Sequence, residues 1–337
     1  MSSVDEYLNQ MYSETLITNQ QTYDDRWKDT LRNKVYKSLG DFNYKSKEFS
    51  VTILETMDMG SYERIRVEIT TFYPLRMPIF ILIPKNSPKK KLPAVLAIHG
   101  HGYGSKEAIG LNPDSTEREE PGIHNQFAVQ LVDKGLIVAV PELIGFGERK
   151  LEEDIGVGSA EANSCYRIAS QLLLMGKTLA GLRVHECKRV IDYIQTLSQV
   201  DEKAIGCMGF SGGGLVAAFT SITDNRLKAT VLTGYTNTFK GSIMDRQHCL
   251  DNYIPGILKA AELPELIGLI APRSLFIESG FNDHLFPIKH VHTAIEKLEE
   301  IYQAFESEKS LASYIFEGGH EISGEQSFDW LIEQLSE

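Results

Sequence analysis

The sequence has few cysteines, a shortage of basic residues and no long apolar run. Its four cysteines, Cys165, Cys187, Cys207 and Cys249, form no C-x-x-C pair, so their spacing indicates neither a zinc site nor a redox pair. No apolar run approaches membrane-spanning length. The polar, acidic start of the chain (MSSVDE, residues 1–6) does not fit a secretory signal. We therefore expect a soluble, cytoplasmic protein.

The charge balance argues against two classes of partner. The chain carries 46 acidic residues against 34 lysines and arginines, a net charge of -12. Nucleic-acid binding requires a basic face, and an anionic membrane repels an acidic surface. We expect a small-molecule substrate instead, with no nucleic-acid or membrane partner, and a homo-oligomer stays open. With 337 residues, of which 42% are hydrophobic, the chain can form one large α/β domain with additions.

Apolar spacing in the first part of the chain predicts a helix followed by antiparallel strands. Four residues spaced four apart predict one apolar stripe on a helix: Trp27, Leu31, Val35 and Leu39. We assign this helix to an N-terminal extension, residues 1–50, that packs on the core. Residues 65–69 alternate between apolar and charged, and residues 79–83 are continuously apolar. These two segments predict antiparallel strands at a sheet edge.

From about residue 92, apolar runs and helix-like segments alternate. The continuous apolar run at 94–98 predicts a strand covered on both faces. The mostly apolar segments 137–140, 204–208, 229–232, 274–277 and 314–316 predict further strands. Strands that alternate with helices predict a mostly parallel, doubly wound sheet, here within a domain of residues 51–337. Residues 239–270 interrupt the alternation. Because ligands bind beyond the carboxyl ends of such strands, we expect this insertion to form part of a pocket wall.

The most informative motif is G-x-S-x-G, the sequence GFSGG at residues 209–213, with Ser211 at its centre. It follows the apolar run 204–208 and precedes the helix-compatible run 215–219. Strand, sharp turn and helix are the context of a nucleophile elbow. The glycines permit a tight, strained turn that side chains would obstruct. The motif therefore predicts that Ser211 is a catalytic nucleophile.

A nucleophilic serine needs a base, and the base needs an acceptor that fixes its tautomer. In folds with this elbow the chain order is serine, acid, histidine. The last predicted strand leads into EGGH, which ends at His320, and the preceding strand leads into a loop that contains Asp283. We therefore predict that His320 is the base and Asp283 the acid.

Rival residues are weaker candidates. Five histidines are disfavoured, two because they face different sides of a predicted helix and three because of the chain order: His290, His292, His284, His124 and His185. Glu278 and Asp251 stay open as alternative acids. The position of Glu278 at a strand end favours a structural role.

Two backbone N–H groups are expected to form the oxyanion hole. One belongs to Gly212, the residue after the nucleophile, and the other to the loop HGHG, residues 99–102, which follows the first parallel strand. We assign the second donor to His101. We expect the histidine side chains of this loop to pack rather than bind metal, because no third ligand has zinc-site spacing.

Two glycine-rich segments only approach nucleotide-binding motifs. The pattern beginning at Gly100 has Ser105 where a dinucleotide fingerprint has its third glycine. The segment GKT, residues 176–178, resembles the end of a phosphate-binding loop, but Gln171 stands where the first glycine belongs. We therefore expect no nucleotide cofactor.

Eight segments together resemble the α/β-hydrolase superfamily, and within it the dienelactone-hydrolase and acetyl-xylan-esterase-like serine hydrolases of bacteria. They are HGHG (99–102), PELIGFGER (141–149), GLRV (181–184), VD (200–201), HC (248–249), NYIPG (252–256), APR (271–273) and EGGH (317–320). The resemblance implies an α/β-hydrolase fold and ester hydrolysis through an acyl-enzyme, without metal or organic cofactor. Dienelactone hydrolases proper use cysteine where this chain has Ser211, which favours carboxyl esterases, including those that deacetylate sugars.

These features predict a serine esterase for short-chain, principally acetyl, esters. His248, Asn252 and Tyr253 are candidates for the substrate pocket, or else they only brace the insertion. A peptidase or amidase of the prolyl-oligopeptidase type is an alternative, which the short N-terminal segment disfavours. A non-catalytic binding protein with a hydrolase fold is a further alternative, which the complete set of expected catalytic residues disfavours.

Overall fold

The protein is built around one nine-stranded sheet. The structure is a computed structural model that describes residues 2–16, 22–42, 50–85 and 87–336. The strands are β1 (Val51–Asp58), β2 (Tyr62–Phe72), β3 (Leu75–Pro84), β4 (Leu92–Ile98), β5 (Ile137–Pro141), β6 (Val200–Phe210), β7 (Leu227–Thr233), β8 (Ser274–Gly280) and β9 (Leu311–Phe316). The α-helices are α1 (Ser3–Thr15), α2 (Asp25–Leu39), α3 (Ser105–Ala108), α4 (Phe127–Asp133), α5 (Cys165–Leu174), α6 (Leu179–Ile194), α7 (Gly212–Thr223), α8 (Leu263–Gly268), α9 (Ile288–Ala304) and α10 (Ser327–Ser336). Among the described helices, none is long and apolar enough to cross a bilayer.

The strand order is β1-β2-β3-β5-β4-β6-β7-β8-β9. The first three strands pair antiparallel, as do β3 and β5, and every other neighbouring pair is parallel. The predicted doubly wound, mostly parallel sheet with N-terminal antiparallel strands is therefore confirmed. Because β4 to β9 run in one direction, the loops at their carboxyl ends meet at one edge of the sheet.

Helices cover both faces of the parallel strands, which explains their continuous apolar sequences. In β6, Cys207 belongs to the apolar cluster on one face and Met208 to the cluster on the other. Apolar side chains of α2, α5, α6, α7, α8 and α9 belong to the first cluster, and those of α4 and α10 to the second.

The N-terminal helices differ in burial. In α2 the stripe of Leu31, Val35 and Leu39 is buried, and the helix contacts α6 and α7. Asp24 caps α2 by accepting a hydrogen bond from the N–H of Trp27 at 2.7 Å. No residue of α1 is buried. Of the predicted extension over 1–50, residues 1, 17–21 and 43–49 lie outside the described residues.

The segment predicted as an insertion, residues 239–270, lies between β7 and β8. It contains two single-turn 3-10 helices, Leu250–Asn252 and Ile257–Lys259, followed by α8, which packs against α9. Ile254 and Ile257 are buried in the first apolar cluster. The insertion is thus anchored on the core, at the edge of the sheet where the parallel strands end.

Candidate active site

Ser211 occupies a strained turn between β6 and α7. Its backbone angles are φ 54° and ψ -120°, a conformation that residues other than glycine rarely adopt. A Cβ on Gly209 would lie 2.2 Å from the carbonyl oxygen of Gly213, and a Cβ on Gly213 would lie 2.3 Å from the carbonyl oxygen of Ile98. Neither position has room for a side chain, which is the physical reason for the glycines of the G-x-S-x-G motif.

The structure brings Ser211, His320 and Asp283 into one hydrogen-bonded chain. The Nε2 of His320 lies 2.8 Å from the Oγ of Ser211, and the Nδ1 of His320 lies 2.7 Å from Oδ2 of Asp283. With the proton on Nδ1, the imidazole donates to the carboxylate and presents a free lone pair to the serine hydroxyl. This arrangement can accept a proton from Ser211.

Neighbouring groups fix both partners of the serine. The Oδ1 of Asp283 accepts hydrogen bonds from the backbone N–H groups of Leu285, at 2.8 Å, and Phe286, at 3.0 Å. The ring of Phe286 stacks on the His320 imidazole at 5.7 Å between centroids, and the ring of Phe210 lies at 4.9 Å. The imidazole therefore has little freedom to rotate away from Ser211.

The two alternative acids have other partners. Glu278 accepts hydrogen bonds from the Thr233 hydroxyl, the Ser327 hydroxyl and the N–H of Gly324, and burial raises its pKa. Asp251 forms a fully buried ion pair with Arg183. Glu278 thus joins β8 to β7 and to the loop that follows His320, as a structural role would require.

The loop after β4 lies directly against the serine. A Cβ on Gly100 would be 3.1 Å from the Cβ of Ser211. The N–H of Gly100 donates to Nε2 of His124 at 2.9 Å, and Nε2 of His99 accepts from the N–H of Leu143 at 3.1 Å. Burial lowers the pKa of both histidines to about 3. They therefore stay neutral near pH 7 and hold the loop as hydrogen-bonding groups.

His101 packs its ring against Gly212, the other residue predicted for the oxyanion hole. A Cβ on Gly212 would lie 2.7 Å from Cε1 of His101, so a side chain at position 212 would have to displace the His101 ring. Burial favours the neutral ring of His101, but Asp251 and Cys165 outweigh this effect and raise its pKa. The loop and the start of α7 thus meet beside Ser211.

Among the described residues, one group could hold a metal ion. It consists of His101, Cys165 and Cys249, whose ligand atoms all lie within 4.8 Å of one another. A hydrogen bond with Cys249 and the charge of Arg183 lower the pKa of the Cys165 thiol. Cysteine spacing predicted no such group, because its members come from separate parts of the chain.

Two buried glutamates, Glu142 and Glu107, hold the loop that follows β4 by hydrogen bonds. Glu142 is buried and accepts hydrogen bonds from the N–H and the hydroxyl of Ser105, and burial raises its pKa to about 7. Glu107 accepts from the N–H of Tyr103 at 3.0 Å, and burial raises its pKa to about 7 as well. A Cβ on Gly104 would lie 2.2 Å from Oε1 of Glu142. The loop is therefore packed closely onto these two side chains.

A cavity of about 280 Å³ opens onto Ser211. Its lining consists of His101, Ile123, Phe210, Ser211, Gly212, Gln247, His248, Cys249, Asn252, Leu285, Phe286 and His320. Of the three predicted pocket residues, the lining therefore includes His248 and Asn252. It does not include Tyr253, whose hydroxyl donates to the carbonyl of Ile243 at 3.1 Å and is held away from the cavity.

Sequence patterns did not single out several groups of this site. Gln247, Leu285 and Phe286 line the cavity but belong to no recognisable local motif. His124 was considered only as a disfavoured base, whereas the structure shows that it accepts a hydrogen bond from the N–H of Gly100. Leu285 and Phe286 could have been identified from the sequence by their proximity to Asp283 in the chain.

Comparisons with known proteins place the chain in one superfamily. The model of the Abhydrolase family matches residues 4–310. The chain is 28% identical over 291 residues to the Bacillus subtilis (strain 168) protein named "Putative hydrolase YtaP", which is 80% of this chain and 86% of that protein. The predicted superfamily and enzyme class, a hydrolase, are confirmed.

Two solved structures have the same fold. A "putative acetyl xylan esterase" from Bacteroides fragilis NCTC 9343 superposes with a TM-score of 0.76 at 17% identity, covering 94% of this chain and 83% of that one. A glucuronoyl esterase from Solibacter usitatus superposes with a TM-score of 0.68 at 13% identity, covering 95% of each chain. The predicted α/β-hydrolase fold is confirmed.

Proposed function

The chain belongs to the Abhydrolase family within the α/β-hydrolase superfamily, and from this premise we propose that it is a serine esterase for short-chain, principally acetyl, esters, including those of carbohydrates. The observation that carries the proposal is the hydrogen-bonded chain from Ser211 through His320 to Asp283. A strained serine with a base and an oriented acid at hydrogen-bonding distance is the arrangement that nucleophilic acyl transfer requires.

In the proposed reaction, Ser211 attacks the ester carbonyl carbon while its hydroxyl proton passes to Nε2 of His320. Asp283 keeps the other imidazole proton on Nδ1 and stabilises the positive charge that forms. The tetrahedral intermediate then collapses, the bond to the alcohol oxygen breaks, and the alcohol leaves with the proton from His320. Water repeats the sequence on the acyl-enzyme, releasing the acid and the free serine.

The developing oxyanion is stabilised by backbone donors. Gly212 is the first residue of α7, where the N–H groups have no partner within the helix and the helix dipole is positive. The N–H of His101 is the second proposed donor. Each such donor contributes about 3 kcal/mol to transition-state stabilisation in serine hydrolases. The close packing of the His101 ring on Gly212 supports this pairing, because it holds the two segments together.

The cavity supports a small ester with a polar alcohol part. Its volume of about 280 Å³ is small for a ligand site. Ile123, Leu285 and Phe286 provide apolar surface for an acetyl group, while Gln247 and Asn252 provide hydrogen-bonding groups for hydroxyls. The names of the structural neighbours, which include acetyl xylan and glucuronoyl esterases, point to the same substrate class.

Labelling and turnover of the Ser211→Ala variant test the proposal. We expect a fluorophosphonate to label the native chain at Ser211, and p-nitrophenyl acetate turnover to be lost in Ser211→Ala. Ser279→Ala is a matched control, because Ser279 is also buried at the end of a strand but lies outside the hydrogen-bonded chain. Undiminished turnover by Ser211→Ala would contradict the proposal, and failure of labelling would favour a non-catalytic binding protein.

A substrate panel tests the chemical class. It should contain acetylated xylose, cephalosporin C, p-nitrophenyl esters of increasing acyl length and an aminoacyl anilide. We expect acetyl esters to be hydrolysed with the highest kcat/KM, because the cavity has a volume of only about 280 Å³. Preference for long acyl chains would contradict the short-ester assignment, and faster anilide cleavage would favour the peptidase or amidase alternative.

A further inference from the structure

Three metal-ligating side chains meet beside the candidate active site although they are far apart in the chain. His101 lies in the loop after β4, Cys165 begins α5, and Cys249 lies in the 239–270 insertion. Their ligand atoms are all within 4.8 Å of one another. Two cysteine sulfurs and one imidazole nitrogen are a ligand set that Zn²⁺ and similar soft divalent cations prefer.

One ligand atom of this cluster, Nε2 of His101, lacks a hydrogen-bond partner in the part of the chain that the structure describes. Nε2 of His101 is shielded from solvent and makes no hydrogen bond among the described residues, although Oδ2 of Asp251 lies 3.9 Å away and 32% of the His101 side chain is exposed. Both cysteines are free thiols. Cys249 is partly exposed and lines the cavity, whereas Cys165 is buried. The cluster therefore offers three protein ligands and faces the cavity on one side, as zinc sites with an open coordination position do.

The surrounding charges are compatible with a divalent cation. Arg183 and Asp251 are fully buried and form an ion pair, and Oδ2 of Asp251 also lies 3.9 Å from Nε2 of His101. A divalent cation bound by two thiolates and a neutral imidazole would add no net charge to this buried region. Nη2 of Arg183 lies 3.1 Å from the Sγ of Cys165 and can donate to it. Hydrogen bonds of this kind from the outer shell support metal-bound ligands.

We propose that His101, Cys165 and Cys249 form a binding site for a soft divalent cation of the Zn²⁺ class, open toward the substrate cavity. Because His101 and Cys249 line the cavity, water or an anionic group could reach a bound ion from that side. The His101 ring of this site also packs on Gly212, so a bound cation would lie beside the reaction centre, while the proposed oxyanion donor of His101 is its backbone N–H and not the ring. The proposal does not depend on the esterase assignment.

Cobalt titration of the full chain tests the site independently of ester turnover. After treatment with a chelator and a phosphine reductant, Co²⁺ should bind at one ion per chain and produce a thiolate-to-cobalt charge-transfer absorption that Zn²⁺ displaces. Substituting both Cys165 and Cys249 by alanine should abolish this absorption. Cys187→Ala should leave it unchanged, because Cys187 is a buried thiol outside the cluster. Circular dichroism should confirm that each variant is folded.

The outcomes separate the alternatives. Absence of the charge-transfer band in the native chain, or its survival in the double variant, would overturn the site. Formation of a Cys165–Cys249 disulfide under mild peroxide in a protein that binds no Co²⁺ would also overturn it. If the double variant does not fold, Cys249→Ser alone should still shift and weaken the band, since Cys249 is the partly exposed ligand.

Discussion

Replacing Asp283 by asparagine is the sharpest test of the proposed triad, because the structure determines how the new amide must be oriented. Oδ1 of Asp283 accepts two backbone N–H groups, from Leu285 and Phe286. The amide oxygen of the variant must occupy that position, so the amide N–H₂ faces His320. A donor facing Nδ1 forces the imidazole proton onto Nε2, where it points at Ser211. The base then has no lone pair for the serine proton.

The expected loss is large and confined to kcat. In serine proteases the corresponding change of tautomer lowers kcat by about 10⁴, which corresponds to about 5.5 kcal/mol of transition-state stabilisation. Here the acid–base hydrogen bond is 2.7 Å long and Asp283 is buried, so water cannot readily replace it. We therefore expect a kcat loss of about 10⁴ with KM changed by only a small factor.

The assay is p-nitrophenyl acetate hydrolysis with thermal unfolding measured in parallel. Glu278→Gln is the matched control, because Glu278 is a second buried carboxyl at the end of β8 that does not contact His320. Its kcat should stay within about tenfold of the native value. If folded Asp283→Asn kept activity within about tenfold while Glu278→Gln lost most of it, the acid would be wrongly assigned.

Three further predictions concern stability. Glu142, with its pKa raised to about 7 from 4.5, binds a proton more tightly when folded, so raising the pH from about 4.5 to about 7 should cost the native state up to about 3 kcal/mol. Urea unfolding near pH 5 and near pH 8 measures how much the free energy of unfolding falls as the pH rises. This fall should be smaller in Glu142→Gln than in the native chain, and an equal fall would refute the prediction. Gly104→Ala should lower the free energy of unfolding by about 2 kcal/mol or more, because φ is +108° and the new Cβ would meet Glu142; a change close to zero in urea unfolding would contradict the loop packing. Leu39→Ala should cost about 2–5 kcal/mol in one cooperative transition, whereas Leu8→Ala on exposed α1 should cost almost nothing; two separate thermal transitions would show that α2 does not fold with the core.

Elements with a strong local pattern were predictable, and elements without one were not. The strand, turn and helix around Ser211 follow from apolar runs and glycines that lie next to each other in the chain. Strand β1 was not predicted, because all of its residues are exposed and its sequence has no clear alternation. Helix α1 was not predicted for the same reason, since it buries no residue that would impose a stripe.

The same distinction between residues with and without a local sequence pattern applies to the candidate site. Ser211, Asp283 and His320 could be selected because each follows a predictable strand, and parallel strands bring their carboxyl ends to one edge whatever the intervening sequence. The sequence by itself therefore determined the fold class and the three side chains that the structure joins by hydrogen bonds.

Only the tertiary structure decided what surrounds those three side chains. In the folded chain His124 accepts a hydrogen bond from the N–H of Gly100, and the Tyr253 hydroxyl donates to the carbonyl of Ile243 outside the cavity. Cys165 and Cys249 lie next to His101. Each of these contacts joins segments that are distant in the chain, and it depends on how the loops and the insertion pack rather than on local spacing. A contact of this kind leaves no periodic signal in the sequence, because distances between packed loops are set by the whole core.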